Sequence, residues 1–292
     1  MLGRIKLVRK SVIRMRREIF QLVLPTFLAA SFLFLGCGTL QGEPGDLEDL
    51  TPEEAEILRL QERAGSDPDD PRAYYELGNA FFDLRRYPEA LESYALAVEA
   101  DPEFADAYTN LGLTHRQLED LDAAIKNYQR SLALAPGDAT TLRNMVIAQR
   151  AAGDLEASLR YLRRLVDGRP QDVSLRSDLA ATLFALKRYR EAAEQYLTLI
   201  ELDAADVKAK FNLGSCYYFL EEWESALATW AKVVGQDQNH GPAHRGMAMA
   251  HWRQGDYDAA WRSVGECERI GVALSTEFMG QLRSDSGRLG PG

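Results

Sequence analysis

Small and large apolar residues recur along the chain with a period of 34 residues. Counted from Pro71, this period fits six times without insertion or deletion and ends at Leu274. The seventh place of each repeat holds Leu or Met, the eighth and twentieth places are mostly small, and the seventeenth and twenty-fourth are large and apolar. Small residues let two helices of a hairpin approach closely, and large residues fill the space around that contact. The pattern therefore predicts helical hairpins over residues 71–104, 105–138, 139–172, 173–206, 207–240 and 241–274.

Proline marks the end of the first three predicted repeats. Pro102, Pro136 and Pro170 stand at the thirty-second place, where proline cannot continue a helix. Ala204, Gln238 and Val272 replace it in the later repeats. The sequence therefore fixes the repeat ends less sharply there.

This arrangement resembles the tetratricopeptide repeat family over residues 71–274. The resemblance implies an all-α fold, a right-handed superhelical solenoid of tandem helix-turn-helix units. It also implies a protein-binding function, since the family supplies interaction scaffolds.

Both ends of the array carry helix signals. Thr51, Pro52 and Glu54 form a capping box with proline at the first helical position, which predicts a helix from Pro52 to about Ala64. We interpret residues 51–66 as a capping helix, the second half of a degenerate repeat, because an array needs a covered end. Residues 275–292 are expected to form a short helix to Leu282 and then a tail.

The N-terminus has the architecture of an export signal. Residues 1–36 hold seven basic side chains and one acidic one, and the stretch from Gln21 to Cys37 contains no charge. Gly36 and Cys37 resemble the bacterial lipobox, which implies that Cys37 is lipidated and becomes the mature N-terminus, although Phe34 and Leu35 depart from that pattern.

An uncleaved membrane anchor and simple cleavage are the alternatives to lipidation, since residues 21–40 match the length of about 20 residues that spans a bilayer. The start is Met1 or Met15. In all three readings the repeats face the periplasm. If the chain is a lipoprotein or has an uncleaved anchor, a flexible tether, residues 37–50, links them to a membrane. Gly38 after the cysteine, where an Asp would retain the protein at the inner membrane, allows an outer-membrane location.

Charge argues against nucleic acid as a partner. The chain has 34 basic and 44 acidic side chains, so that beyond residue 36 there remain 27 basic and 43 acidic ones, a net charge of −16. Such a body repels phosphate backbones.

The sequence shows no recognisable catalytic or metal site. It lacks a phosphate-binding glycine loop, a Gly-x-Ser-x-Gly motif and a Cys-x-x-Cys motif. His244 and His251 are seven residues apart, about 10.5 Å along a helix, which is too far to share one ion. Cys216 and Cys267 are interpreted as small buried residues rather than a disulfide. We therefore expect no cofactor, no metal, no small-molecule substrate and no enzymatic activity.

The family resemblance also implies a binding groove. In the family, the first helix of each hairpin lines the concave face through its second, fifth, ninth, twelfth and thirteenth places. Carried onto this chain, these places include arginine and aromatic residues suited to anchoring an apolar or acidic protein segment. The predicted groove residues are Tyr75, Asn79, Phe82, Arg116, Arg143, Arg150, Phe184, Lys208, Phe211, Tyr218, Phe219, Arg245, Met249, Trp252 and Arg253.

A chaperone-tail groove is disfavoured. That class needs Lys or Arg where this chain has Tyr75, Thr140 and Asn144. The alternative for the aromatic residues is packing between repeats.

These features predict an exported, membrane-tethered scaffold of the bacterial cell envelope. Its architecture, a signal followed by six repeats, resembles pilotin-type lipoproteins, which implies a role in assembling a type IV pilus or a secretin complex. An adaptor for cell-wall synthases or hydrolases fits the same facts. An enzyme with an unrecognised site is the third possibility.

Overall fold

The computed structural model describes residues 51–290. The predicted signal, the tether and Cys37 lie outside these residues. Within them the chain forms fourteen α-helices and no strand, so the all-α prediction is confirmed for this part of the chain. In order, the helices are α1 (Pro52–Ser66), α2 (Pro71–Asp83), α3 (Tyr87–Ala100), α4 (Ala105–Gln117), α5 (Leu121–Leu134), α6 (Ala139–Ala151), α7 (Leu155–Gly168), α8 (Val173–Ala185), α9 (Tyr189–Leu202), α10 (Val207–Phe219), α11 (Trp223–Gln236), α12 (Gly241–Gln254), α13 (Tyr257–Arg269) and α14 (Thr276–Ser286).

Helices α2 to α13 follow the predicted period without a break. Each first helix begins at the first place of its repeat, and each second helix begins at the seventeenth. The spacing holds between Leu165 and Leu199, where the sequence match is weakest. The chain divides after Thr141 into two compact units, called the N-terminal unit and the C-terminal unit below.

An aromatic ring lying on a glycine joins the two helices in several hairpins. A Cβ atom on Gly78 would lie 2.5 Å from the ring of Tyr94, and a Cβ atom on Gly214 would lie 2.5 Å from Nε1 of Trp230. Gly112 and Tyr128 form the equivalent pair. These are the eighth and twenty-fourth places of a repeat, so the predicted small–large contact is a ring resting on a backbone that has no side chain.

The larger ring of Trp230 requires a second glycine. A Cβ atom on Gly246, at the sixth place of the following repeat, would lie 2.7 Å from the same indole. The indole N–H donates to the Phe211 carbonyl at 3.1 Å, which satisfies its one polar atom, and Trp230 is 3% exposed. The ring therefore lies between two repeats as well as between two helices.

Proline is not required to end a second helix. Helices α9 and α11 end at the thirtieth place, as α3 does, although they lack the proline two residues later. The residue after each of these two helices is an aspartate. Asp203 accepts a hydrogen bond from the amide of Ala205 at 2.8 Å, and Asp237 accepts one from Asn239 at 3.1 Å. Such a turn offers the backbone an alternative to the helix, so the aspartate ends it where proline is missing.

Every first helix ends in one left-handed residue. The fifteenth place has φ between 58° and 63° at Arg85, Glu119, Lys187 and Glu221, and about 80° at Gly153 and Gly255. This conformation ends a helix, and glycine adopts it at least cost. Four of the six repeats adopt it with a residue that has a side chain, a feature that sequence analysis did not reveal.

The flanking helices cover the ends of the array. In α1, the Thr51 hydroxyl accepts from the Glu54 amide at 3.2 Å, and the Glu54 carboxylate accepts from the Thr51 amide at 3.0 Å, which is the predicted capping box. Helix α1 continues to Ser66, two residues beyond its expected end.

None of the helices in residues 51–290 is long and apolar enough to cross a membrane.

The C-terminal helix is longer than expected. Helix α14 begins after Ser275, whose hydroxyl accepts from the Phe278 amide at 3.2 Å, and buries Phe278 and Leu282. It runs to Ser286, so the prediction of a tail from Arg283 was wrong for its first four residues. The serines there did not end the helix because Phe278 and Leu282 anchor it to the preceding repeat.

The two described cysteines are buried and free, as predicted. Burial raises the pKa of the Cys216 thiol to about 12 and also raises that of Cys267. Both therefore remain protonated at neutral pH and act as small apolar residues.

The contact between Gly214 and Trp230 generates a stability prediction. Gly214→Ala should lower the free energy of unfolding by about 1–3 kcal/mol, because the methyl group forces the indole out of its site. Gly235→Ala is the matched control, since nothing lies within 4 Å of a Cβ atom there. It should stabilise helix α11 by up to about 1 kcal/mol. Urea titrations followed by circular dichroism would measure both, and equal effects of the two variants would contradict the packing role of Gly214.

Candidate partner-binding surface

The first-helix face is defined here as the side chains at the second, fifth, ninth, twelfth and thirteenth places of each repeat. None of the fifteen predicted groove residues is fully buried. The exposed ones are Arg143, Lys208, Phe219, Arg245 and Arg253. The half-buried ones are Tyr75, Asn79, Phe82, Arg116, Arg150, Phe184, Phe211, Tyr218, Met249 and Trp252.

In the N-terminal unit, the aromatic members of this face pack against their own hairpins. The ring of Tyr75 lies 5.0 Å from that of Phe104, and the ring of Phe82 lies 5.4 Å from that of Tyr87. Asn79 accepts a hydrogen bond from the Tyr94 hydroxyl at 2.7 Å. These contacts fix the side chains, so that each presents only part of its surface.

Thr109, which the family pattern places at the fifth position of this face, is not available to a partner. It is 7% exposed, and its hydroxyl lies 2.8 Å from that of Ser131 and 2.7 Å from that of Thr141. The three hydroxyl groups satisfy one another inside the N-terminal unit.

Arg150 joins two repeats of the C-terminal unit. Its guanidinium donates to the Thr182 hydroxyl at 2.7 Å and to the Asp178 carbonyl at 3.2 Å. The predicted groove arginine is thus committed to a structural contact. The sequence could not reveal this, because its acceptors belong to the next repeat.

Five rings of the C-terminal unit form a cluster beside the turn between first and second helices. We call Phe184, Tyr189, Tyr218, Phe219 and Trp223 the aromatic cluster. In two repeats the residue at the twelfth place packs on the one at the seventeenth, with ring centroids 5.3 Å apart in one and 5.0 Å in the other. Phe219 stacks on Tyr189 at 4.9 Å with an interplanar angle of 14°.

Phe219 is the most open member of this cluster. It is 51% exposed, whereas Phe184 and Tyr218 are half-buried. Its ring is held in place by three neighbours, which leaves one face for a partner. A rigid exposed ring loses little conformational entropy on binding, so Phe219 is suited to anchor a protein segment.

Two other aromatic residues of the predicted site pack against neighbouring residues of the same chain. Phe211 packs on His240, with centroids 5.1 Å apart, and on Trp230. Trp252 meets Phe278 of helix α14 edge-on at 5.8 Å, and its indole N–H donates to Asp285 at 2.9 Å. Sequence analysis did not foresee that α14 would contact Trp252: Asp285 lies beyond the predicted end of this helix at Leu282, and the contact with Phe278, inside the predicted helix, has no signal in the sequence.

The charge of the first-helix face in the C-terminal unit is positive. Its basic members are Arg143, Arg150, Lys208, Arg245 and Arg253, and no acidic residue stands at any of its places. Over the same unit, 19 basic and 20 acidic side chains nearly cancel. The basic residues are therefore concentrated on this face, where they favour an acidic partner.

The model of the tetratricopeptide repeat matches five overlapping stretches, residues 54–103, 75–139, 143–207, 177–240 and 211–264. The chain belongs to the tetratricopeptide repeat family. As a repeat scaffold of this family it mediates protein–protein interactions. Within residues 51–290, no group of three or more His, Cys, Asp or Glu side chains is placed to hold a metal ion.

Two solved structures, those of YrrB and of Naa15/Naa10, share the fold at low sequence identity. YrrB, described as a tetratricopeptide repeat protein with an unusual peptide-binding site, is 22% identical over 63% of this chain and 95% of its own, with a TM-score of 0.53. The structure of Naa15/Naa10 bound to HypK-THB is 15% identical over 81% of this chain and 37% of its own, with a TM-score of 0.67. A crystal structure of the MamA protein is 16% identical over 59% of this chain and 93% of its own, with a TM-score of 0.49. No curated protein matches the sequence.

The contacts of Trp252 predict a packing role for this residue. Trp252→Ala should lower the free energy of unfolding by about 2 kcal/mol, less than for a fully buried tryptophan because the ring is half-buried. Phe219→Ala removes a more exposed ring and should cost about 1 kcal/mol or less. Urea titrations of both variants test this order, and a larger loss for Phe219→Ala would show that the two roles are reversed.

Proposed function

We propose that the C-terminal unit binds a protein segment carrying both apolar and acidic residues on its first-helix face. The proposal rests on one observation: Phe219 is exposed on a face whose charged members are all basic in this unit. The ring would be the apolar anchor. Arg143, Lys208, Arg245 and Arg253 are exposed and would pair with carboxylates and steer the encounter.

The proposal extends to location. The charge pattern of residues 1–36 and the Gly36-Cys37 pair support an exported lipoprotein tethered to a bacterial envelope membrane. In that setting the partner would be an envelope protein. A secretin of a pilus or secretion system is the partner that the pilotin-like architecture favours, and a cell-wall synthase or hydrolase is the alternative.

Affinity capture from detergent-extracted membranes, read out by mass spectrometry, would identify the partner. Phe219→Ala should then weaken its binding by about thirtyfold, because truncating a central aromatic anchor typically costs about 2 kcal/mol. Combined Arg245→Glu and Arg253→Glu substitutions should slow association and reduce its dependence on salt.

Arg262→Glu is the matched control for charge. Arg262 is exposed on helix α13, a second helix of its repeat, outside the first-helix face. It should leave the affinity for the captured protein nearly unchanged. If this variant weakens binding as much as the double substitution does, binding to the first-helix face is contradicted.

Lipidation predicts a separate result. A clickable fatty-acid analogue should label the wild-type chain and leave Cys37→Ala unlabelled, because the thiol at residue 37 is the proposed attachment point. Cys216→Ala is the control and should be labelled as the wild type is, since Cys216 is buried. Equal labelling of Cys37→Ala and wild type would exclude the lipoprotein assignment.

A further inference from the structure

Two tyrosines at the same place in neighbouring repeats differ in their hydrogen bonds. The Tyr94 hydroxyl donates to Asn79 at 2.7 Å, and Asn110 donates to the same Asn79 oxygen at 2.8 Å. Tyr128 is fully buried, yet within residues 51–290 its hydroxyl finds no acceptor for its proton. The residue that corresponds to Asn79 in its repeat is Leu113, which offers no acceptor.

Arg116 lies beside this hydroxyl. Its Nε atom is also buried and has no acceptor in the described part of the chain. Burial raises the pKa of Tyr128, although a hydrogen bond from the Arg116 guanidinium to the phenol oxygen and the positive charge of the guanidinium oppose that rise, so the phenol keeps its proton at neutral pH. A guanidinium has donors only, so what this pair of buried groups lacks is an acceptor.

In the next repeat, the arginine at the same place has hydrogen-bond acceptors. Arg150 corresponds to Arg116 and donates to the Thr182 hydroxyl and the Asp178 carbonyl. Arg116 takes part in none of the ion pairs found among residues 51–290. Buried polar groups in native proteins are nearly always satisfied, and an exception calls for an explanation such as an absent ligand.

We propose that Arg116 and Tyr128 form a binding site for a single carboxylate. The guanidinium would donate to the two carboxylate oxygens, and the phenol would donate to one of them. Arg116 is half-buried, so part of its side chain lies at the surface, whereas its Nε atom and the Tyr128 hydroxyl are buried and become accessible to a carboxylate only when the Arg116 side chain moves. The site belongs to the N-terminal unit and does not depend on the binding proposed for the C-terminal unit.

The net charge of the N-terminal unit limits which kind of molecule can present this carboxylate. Residues 51–141 hold 8 basic and 19 acidic side chains, a net charge of −11. This surplus repels a run of acidic residues but is partly screened at physiological salt, where the Debye length is about 8 Å. The half-buried Tyr75, Phe82 and Leu113 offer apolar contacts on the same face. The favoured ligand is therefore one carboxylate flanked by apolar residues, and a free small carboxylate has the same chemistry.

The test follows the Nε–Hε resonance of Arg116 by NMR in the full-length protein, assigned by its loss in Arg116→Leu. The probes are the tripeptide N-acetyl-Leu-Asp-Leu-amide, its Asn counterpart and sodium acetate at constant ionic strength. The Asp tripeptide should shift this resonance saturably in the millimolar range, and the Asn tripeptide should not. Saturation by acetate at the same concentration would identify a free carboxylate as the ligand, and weaker acetate binding would identify a peptide-borne one.

Tyrosine variants provide the second measurement. Tyr128→Phe should weaken binding of the Asp tripeptide by about tenfold, because a hydrogen bond to a charged group is lost. Without ligand it should leave the melting temperature unchanged or higher, whereas Tyr94→Phe should lower it by breaking the bond to Asn79.

Two results would overturn the carboxylate site. The first is the absence of a saturable shift with the Asp tripeptide and with acetate. The second is a fall in the melting temperature of Tyr128→Phe equal to that of Tyr94→Phe, which would mean that ordered water already satisfies the hydroxyl.

Discussion

The fold depends on a large apolar residue at the twenty-fourth place, a ring in four of the six repeats, that rests on the residue at the eighth place, which is glycine or alanine in five of them. Where the eighth residue is glycine, as at Gly78, Gly112 and Gly214, the ring approaches to a distance that a Cβ atom would forbid. The following repeat adapts to the ring at its sixth place. It supplies Asn110 near the Tyr94 hydroxyl and Gly246 beneath the wider indole of Trp230. The contact within a hairpin thus also sets the contact between hairpins, which is how an array builds a continuous core from units that cannot fold alone.

The same dependence limits the surface left for a partner. Large residues on the first helices serve packing within their own hairpins, because a ring at the twelfth place packs on the one at the seventeenth, as Tyr218 does on Trp223. Trp252 donates a hydrogen bond to Asp285 of helix α14, and Arg150 donates one to Thr182 of the fourth repeat. The aromatic and charged side chains that remain exposed on this face of the C-terminal unit are one ring, Phe219, and four basic groups, and the aliphatic Ile147 is exposed as well. A binding energy concentrated in a few residues is typical of protein interfaces, so this small set is sufficient for a specific contact.

Sequence reasoning located the hairpins because their period is fixed by packing that every repeat shares. It could not locate features that depend on a single position. Asp203 and Asp237 end helices through their own side chains, and nothing in the apolar period marks them. Glu119 and Lys187 adopt a left-handed conformation that their residue types do not predict. For the site, a ring that packs and a ring that binds look alike in sequence, so Phe211 and Phe219 could be separated only by their neighbours.

A single place can therefore change its role from one repeat to the next. At the twelfth place, Phe82 packs on Tyr87, Arg116 lies beside an unsatisfied hydroxyl, and Arg150 bridges to the next repeat. This place contacts only its own hairpin and the following one, and each contact can be satisfied locally without disturbing the period. A substitution such as Leu113 for the asparagine found at position 79 removes one acceptor and leaves the stack intact. A repeat protein can therefore vary its binding groups and keep its fold as long as each new side chain finds its contacts nearby and the 34-residue period is preserved.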